Sequence, residues 1–274
     1  MPTVQELFIY PLKSARAIPR SSVLLTETGF EWDRHWMAVD ARGSHLTQRT
    51  HPRLALVEPQ MTADALVLSA PDLPPLRLPL EPAGEAIPVQ VWNDRCTGLD
   101  QGDVAAEWIS EVLHDSARLV RMPPSMGRMA DPKYAGPIAA PVSYTDGYPI
   151  LVCNRASLDA LNARMPEPVP MERFRPNVVV EGLPPFAEDR IACLRVGPIV
   201  LRLVKPSTRC VITSTDQRTG ERTTNPLPVL REFRFDRKLR GVTFGENAVI
   251  AAGQGAYLER GADCSVDYED GVDE

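Results

Sequence analysis

The chain has 274 residues, 43% of them hydrophobic and 24% charged, with a formal net charge of −6. These are the proportions of a water-soluble globular protein of one large domain or two small ones, and no basic excess is available to neutralise nucleic-acid phosphates. No apolar run reaches the roughly 18 residues of a membrane helix, and the start, Met1-Pro2-Thr3-Val4, lacks the pattern of a secretory signal, so the expected location is the cytoplasm, with no membrane partner.

Twenty-seven prolines lie mostly singly between short apolar runs, which favours many short strands over long helices. Residues 4–10 read as a strand, and Pro11-Leu12-Lys13-Ser14 turns with Lys13 and Ser14 at its tip. A second strand over 22–25 ends at Thr28-Gly29-Phe30. The polar knot Trp32-Asp33-Arg34-His35-Trp36 leads into a third over 36–40, and Asp40-Ala41-Arg42-Gly43 is a turn with glycine last. Residues 46–49 and, after Pro52, 54–57 continue the pattern. Further strands fall around 66–68 and 76–78, and Ile87, Val89 and Val91 alternate in one that ends at Asn93-Asp94. Such regular spacing predicts a compact antiparallel or barrel-like unit.

Near residue 102 the period changes. Apolar residues at 104, 105, 108, 109 and 112 predict an amphipathic helix over 103–113 with Asp103 as N-cap. A short strand over 118–121 follows. Residues 122–142, with five prolines and three methionines, read as a long mobile loop or lid. A buried strand over 148–153, a helix over 157–162, a proline-marked linker at 166–170 and a strand over 178–180 come next. Residues 191–196 and 199–204 make a hairpin across Gly197-Pro198, in which Ile199, Leu201 and Leu203 share one face and Arg202 takes the other. The polar loop 205–210 and a β-branched run from Val211 follow. A short helix over 228–233 and last strands from Gly241 complete the chain, with an acidic tail over 267–274. Gly253-Gln254-Gly255 lacks the third glycine and the following helix of a dinucleotide loop.

Five cysteines, at 96, 153, 193, 210 and 264, are dispersed without a CxxC pair. They fit reduced thiols rather than a disulfide frame, a zinc site or a four-cysteine iron–sulfur cluster. Cys153 and Cys193 lie in apolar strands and read as small core residues. Cys210 differs: Lys205, Ser207, Thr208 and Arg209 precede it, and cations beside a thiol favour the form that binds soft metals or attacks electrophiles. Cys210 therefore reads as ligand to a metal carried by an anionic cofactor. The four histidines, all within the first 114 residues, give no zinc motif and little support for a hydrolase triad. Lys13, Ser14, Arg34, Arg175, Asn177, Thr208 and Arg209 each sit at the end of an apolar strand, where a barrel mouth would gather them as donors. Taken singly, each reads more readily as a solvated loop residue, and no spacing rule joins these distant loops. Only four of the 30 basic residues are lysine. Genomic base composition gives such a bias, though guanidinium groups also pair bidentately with phosphate.

Leu7-Phe8-Ile9-Tyr10-Pro11-Leu12-Lys13-Ser14, then Asp33-Arg34-His35-Trp36-Met37, resembles the N-terminal β-barrel domain of the MOSC (molybdenum cofactor sulfurase C-terminal) proteins. Phe174-Arg175-Pro176-Asn177-Val178-Val179 and Arg209-Cys210-Val211-Ile212-Thr213, with Thr215-Asp216 and Thr219-Gly220, resemble the MOSC domain itself. The likeness covers nearly the whole chain, and the group containing the mitochondrial amidoxime-reducing components and the bacterial YcbX proteins is the most similar. It implies a mixed α/β, predominantly β fold: an N-terminal β-barrel-like domain over 1–120 and a C-terminal MOSC β-barrel domain with a few short helices over 121–266. It implies molybdenum with molybdopterin as cofactor, Cys210 as the thiolate on the metal, and pterin contacts from Lys13, Ser14 and Arg34. Arg175, Asn177, Thr208 and Arg209 would complete the cleft, with the loop Thr145-Asp146-Gly147-Tyr148 beside it. At the family level alone it also carries pyridoxal phosphate binding. The implied reaction removes oxygen from an N-hydroxylated substrate as water, with Asp146 delivering a proton and a separate flavin or iron–sulfur reductase supplying electrons. A sulfur carrier with persulfide on Cys210, or a non-catalytic molybdopterin carrier, is the alternative. Where relatives often have Cys-Ser before the Arg-Cys pair, this chain has Ser207-Thr208.

Overall fold

Period-two patterning sets the first strands of the computed structural model, which describes residues 1–125 and 127–268. β1 (Thr3–Ile9) changes parity at a bulge between Val4 and Glu6, so Val4, Leu7 and Ile9 all reach the core. β2 (Ile18–Arg20) returns along β1, and β3 (Ser22–Thr26) turns into β4 (Gly29–Phe30). β5 (Trp36–Val39) is wholly buried. Residues 54–57 do not continue as a strand: Pro52 opens a 3-10 turn over Pro52–Leu56. β6 (Glu58–Met61), β7 (Ala65–Ala70) and β8 (Leu73–Pro79) form a meander. β9 (Ala86–Val91) and β10 (Asp94–Asp100) are a hairpin closed by Trp92-Asn93. The sequence hides β10, because Asp94-Arg95-Cys96-Thr97 has no apolar alternation.

α1 (Asp103–Leu113) buries Ala105, Trp108, Ile109 and Val112 as predicted. Its N-cap is Gly102 rather than Asp103, which becomes the first helical residue. β11 (Arg118–Arg121) pairs with β10 and β5. The predicted lid is packed in place. Backbone bonds Ala130 N–H to Ala140 O (2.8 Å) and Val142 N–H to Arg128 O (3.0 Å) close it around α2 (Pro132–Ala135). Ala130, Ala135, Ala140 and Val142 are buried with Val249, and Met126 lies outside the described residues.

β12 (Ile150–Asn154) and β13 (Val178–Glu181) are parallel, and the crossover between them carries α3 (Arg155–Asn162). β14 (Ile191–Val196) and β15 (Ile199–Thr208) form the expected hairpin. β15 runs on through Lys205 to Thr208, where the sequence predicts a loop. Its register against the later strand β17 shifts between Val200 and Leu201, Leu203 and Lys205, and Pro206 and Thr208. Such irregularity tolerates Pro206, which has no N–H for a ladder. The β-branched run after Cys210 is a 3-10 turn, Val211–Ser214. There the Thr213 and Ser214 hydroxyls donate to Cys210 O (2.9 Å) and Val211 O (2.7 Å), local bonds that compete with a strand ladder. α4 (Leu227–Phe233), β16 (Phe235–Asp236), β17 (Gly241–Ala252), β18 (Tyr257–Glu259) and β19 (Ser265–Tyr268) complete the order. Of the predicted tail, Asp267 and Tyr268 belong to β19, and residues 269–274 lie outside the described residues.

One large sheet has the order β19-β14-β15-β17-β12-β13-β1-β2, with β16 on β17. β1 and β2 therefore complete a sheet otherwise made by the second half, and β18 pairs with β3. β5-β11-β10-β9 and β6-β7-β8 form separate sheets, with α1 packed in the apolar cluster around Trp36, Leu54 and Leu66. A third cluster stacks Phe174 on Phe244 at 4.0 Å beside Tyr10 and Cys153.

Gly245 stands where β17 meets β12, at φ 74°, and a Cβ there would lie 2.6 Å from Cys153 Sγ and 2.8 Å from Val152 O. Gly245→Ala is expected to destabilise the protein by about 1–3 kcal/mol through strain and overpacking. A urea midpoint unchanged from wild type would contradict this packing.

Candidate functional site

A cleft of about 450 Å³ opens between the turns of the first half and the end of β15. Its floor begins at the turn after β1. Lys13 N–H donates to Trp36 O (2.8 Å), and Ser14 takes a left-handed conformation (φ 67°). Lys13 is thereby buried, with Nζ donating to Tyr144 O (2.9 Å) and to the Asp146 carboxylate. Arg34, also left-handed (φ 54°), pairs with the buried Asp33 and donates to Asn177 Oδ1 (3.1 Å). Arg34 and Arg175 each place their guanidinium carbon 4.2 Å from the Tyr10 ring centroid.

From the second half, Arg175 (φ 56°) donates through Nη1 to Ala15 O (2.7 Å). Arg209 donates through Nη1 to Ser207 Oγ (2.7 Å) and through Nη2 to Phe174 O (2.5 Å), and its own N–H bonds Val242 O (2.8 Å). These bonds carry the chain into Cys210, a half-buried free thiol on the cleft wall. Asn177 is committed to the fold: Oδ1 accepts from Leu151 N–H (3.1 Å) and Nδ2 donates to Phe8 O (3.3 Å). A Cβ on Gly147 would meet nothing within 4 Å, so that glycine is not required sterically.

All twelve residues singled out from the sequence line this cleft: Lys13, Ser14 and Arg34; Thr145, Asp146, Gly147 and Tyr148; Arg175 and Asn177; Thr208, Arg209 and Cys210. The sequence reading missed Arg49, Trp92 and Asn247 in the same wall. An exposed tryptophan in a hairpin turn was the one local signal for Trp92. None of the histidines lines the cleft. His51 pairs with Asp115 (3.1 Å), and His45 reaches only the edge of Trp92. Cys153 and Cys264 are buried, which pushes their thiols up, Cys264 to about 11.

The electrostatics assign protons unevenly. Asp146 sits half open at the mouth. Withdrawal from water opposes its ionisation, yet Lys13 and Arg49 (3.3 Å), with hydrogen bonds from Lys13 and Trp92, hold the carboxyl well below the usual range. The Lys13 and Arg49 contacts favour the ionised form, a setting that suits a carboxylate better than the proton donor expected of it. Burial lowers Lys13 to about 8 against the pull of Asp146, so the exchangeable proton of the pair is on Nζ. Burial also pulls Arg175 down to about 10 and lowers Arg209.

Several buried donors in the cleft have no hydrogen-bond partner among the described residues: Arg49 Nη1, Arg175 Nη2, Arg209 Nε, Thr145 Oγ1 and Tyr148 OH. Such groups cost free energy unless a ligand or water meets them, and their chemistry fits a phosphate-bearing, heterocyclic cofactor. No group of three or more His, Cys, Asp or Glu among the described residues could cage a metal. A metal at Cys210 must arrive with most of its ligands attached, as one carried by molybdopterin would.

Residues 1–116 match the model of the MOSC N-terminal beta barrel domain and residues 139–263 that of the MOSC domain. The chain belongs to the MOSC family. It is 34% identical over 265 residues to mitochondrial amidoxime-reducing component 1 of Homo sapiens, covering 90% of this chain and 78% of that protein. It is 35% identical over 246 residues to mitochondrial amidoxime reducing component 2 of Rattus norvegicus, covering 85% and 72%. Among the described residues, no helix is long and apolar enough to cross a membrane.

Because Lys13 is a cation only below its pKa of about 8, anion binding in the cleft should weaken as pH rises through that value. Sulfate, whose charge is constant over the range, is the probe. Its affinity is expected to be level from pH 6 to 7 and to fall above pH 8, and Lys13→Arg should remove the fall. Calorimetric titrations that decline identically in both proteins would dismiss Lys13 as an anion donor.

Proposed function

We propose that this chain is a molybdenum-cofactor oxidoreductase that reduces N-hydroxylated compounds such as amidoximes and hydroxylamines. The observation that carries the reading is one thiol, Cys210, in a cleft whose buried cations and hydroxyls keep unspent donors. The names of the relatives, amidoxime-reducing components at about a third identity over most of the chain, supply the substrate class.

In this reading Cys210 supplies the protein thiolate to molybdenum. Lys13, Ser14 and Arg34 meet the phosphate or the pterin ring. Arg175, Thr208 and Arg209 close the opposite side, and Thr145, Gly147 and Tyr148 border the ring. Asn177 acts at one remove by holding Arg34 and the β12 backbone. When bound, the cofactor supplies the two-electron chemistry by which an N–O bond is reduced and water released. The protein would orient that cofactor and hold a proton at Lys13 Nζ beside the Asp146 carboxylate. Electrons come from a separate flavin or iron–sulfur reductase.

Protein made in a host that synthesises molybdopterin is expected to hold molybdenum and pterin in near-stoichiometric amounts and, once chemically reduced, to convert benzamidoxime to benzamidine. Cys210→Ala should lose both retained metal and turnover while keeping the wild-type unfolding transition. Molybdenum-free protein with persulfide on Cys210 would point to sulfur carriage, and loaded but inactive protein to a carrier. Full activity in the variant would remove the ligand assignment.

A further inference from the structure

The loop between β9 and β10 has two central residues, Trp92 and Asn93, because Val91 pairs with Asp94. Trp92 holds the first central position at φ 56°. Glycine is the usual choice at a first central position with positive φ, and a bulky side chain is strained there. Nine non-glycine residues among those described have positive φ, and four of them, Ser14, Arg34, Trp92 and Arg175, line the cleft. Strain of this kind persists where the surroundings fix it, and it concentrates at functional sites. Three of the four belong to the cofactor side described above. Trp92 has no such role.

Its setting supplies one. Trp92 is 42% exposed and, among the large exposed hydrophobic residues, it is the one that lines the cleft. The indole is braced on several sides. Nε1–H donates to Asp146 Oδ1 (3.3 Å), the Arg49 guanidinium covers one face with its carbon 4.4 Å from the ring centroid, and His45 makes a T-shaped contact at 4.7 Å, so a ligand would pack on the ring surface that these leave exposed. The result is a rigid aromatic surface beside an ionised carboxylate at the mouth of an otherwise cationic and hydroxylic pocket.

We propose that Trp92 is a specificity-determining residue, the wall against which a planar, π-delocalised N-hydroxylated substrate packs, so that the site favours amidoximes over small aliphatic hydroxylamines. The inference rests on the reaction assigned above. An amidoxime is flat, offering a face to the indole, and its amino group can donate to the half-exposed Asp146 carboxylate next to it. A small aliphatic hydroxylamine can also donate to that carboxylate but has no planar face to offer the indole.

The test compares wild type, Trp92→Gly and Trp92→Phe as cofactor-loaded, chemically reduced proteins acting on benzamidoxime and N-methylhydroxylamine. Glycine suits the backbone at this position, so removal of the indole leaves the turn unstrained. The ratio of kcat/KM for benzamidoxime to that for N-methylhydroxylamine should fall about fivefold in Trp92→Gly, mainly through KM. Trp92→Phe, which keeps a ring but loses the bond to Asp146, should restore most of it. Calorimetric binding of benzamidine to the unreduced proteins should follow the same order. An unchanged ratio, or a ratio that phenylalanine fails to restore, overturns the proposal, the latter by showing that the indole serves only to hold Asp146. If wild type reduces neither compound, the assigned reaction fails, and the benzamidine titrations still decide the role of Trp92.

Discussion

The two halves of the chain meet at the buried Asp33–Arg34 pair. The Asp33 carboxylate accepts the Tyr10 N–H (2.8 Å) and pairs with Arg34, while the Asp33 carbonyl accepts from Ser143 Oγ (2.7 Å). Arg34 passes the connection on to Asn177 and to Arg175 O (3.3 Å). A buried ion pair gives little net stability when intact, but loss of one partner strands a charge at a cost of about 3–5 kcal/mol. Those same bonds set the direction of the Arg34 guanidinium in the cleft. The fold therefore cannot join its halves in this way without also forming one side of the site.

The other side depends on an imperfect strand. A regular β15 would alternate its side chains strictly along the ladder with β17. Register shifts between Leu203 and Lys205 and between Pro206 and Thr208 accompany a stretch whose residues, Lys205 to Thr208, all line the cleft, with Arg209 just past its end. Ser207 is buried with its hydroxyl on Arg209. That hydroxyl is a good acceptor for a guanidinium, and the bond helps fix Arg209 beside Cys210.

Where short apolar or alternating runs stand between turn residues, the strands were legible: β1, β3, β9, β14 and the first part of β15 follow directly from them. So does α1, from its helical spacing. The reading failed where side-chain chemistry and pattern disagree. Lys205 to Thr208 looks like a loop because it is polar, yet it pairs with β17. Val211 to Thr213 looks like a strand because it is β-branched, yet hydroxyl-to-backbone bonds fold it into a turn. In the cleft, Lys13, Arg34, Arg175 and Cys210 were legible as motifs in a fixed order. Arg49 and Trp92 were not, because tertiary contact alone brings them to Asp146, and no sequence spacing records that.

Charge explains why the cleft can be so cationic in an acidic chain. Lys13, Arg34, Arg49, Arg175, Lys205 and Arg209 line it, and Asp146 is the one carboxylate among its lining residues. The net charge of −6 acts mainly through exposed groups, whose field is screened beyond about 8 Å at physiological salt. Within the cleft the balance is reversed, and burial has already lowered the pKa values of Lys13, Arg175 and Arg209. Those shifts show cations held away from water with too little negative charge beside them. An anionic occupant relieves that deficit, and Asp146, already tied to Lys13 and Arg49, cannot relieve it alone. The same crowding of positive charge that makes the cleft costly to fold suits it to an anion, with the thiol of Cys210 on the same wall.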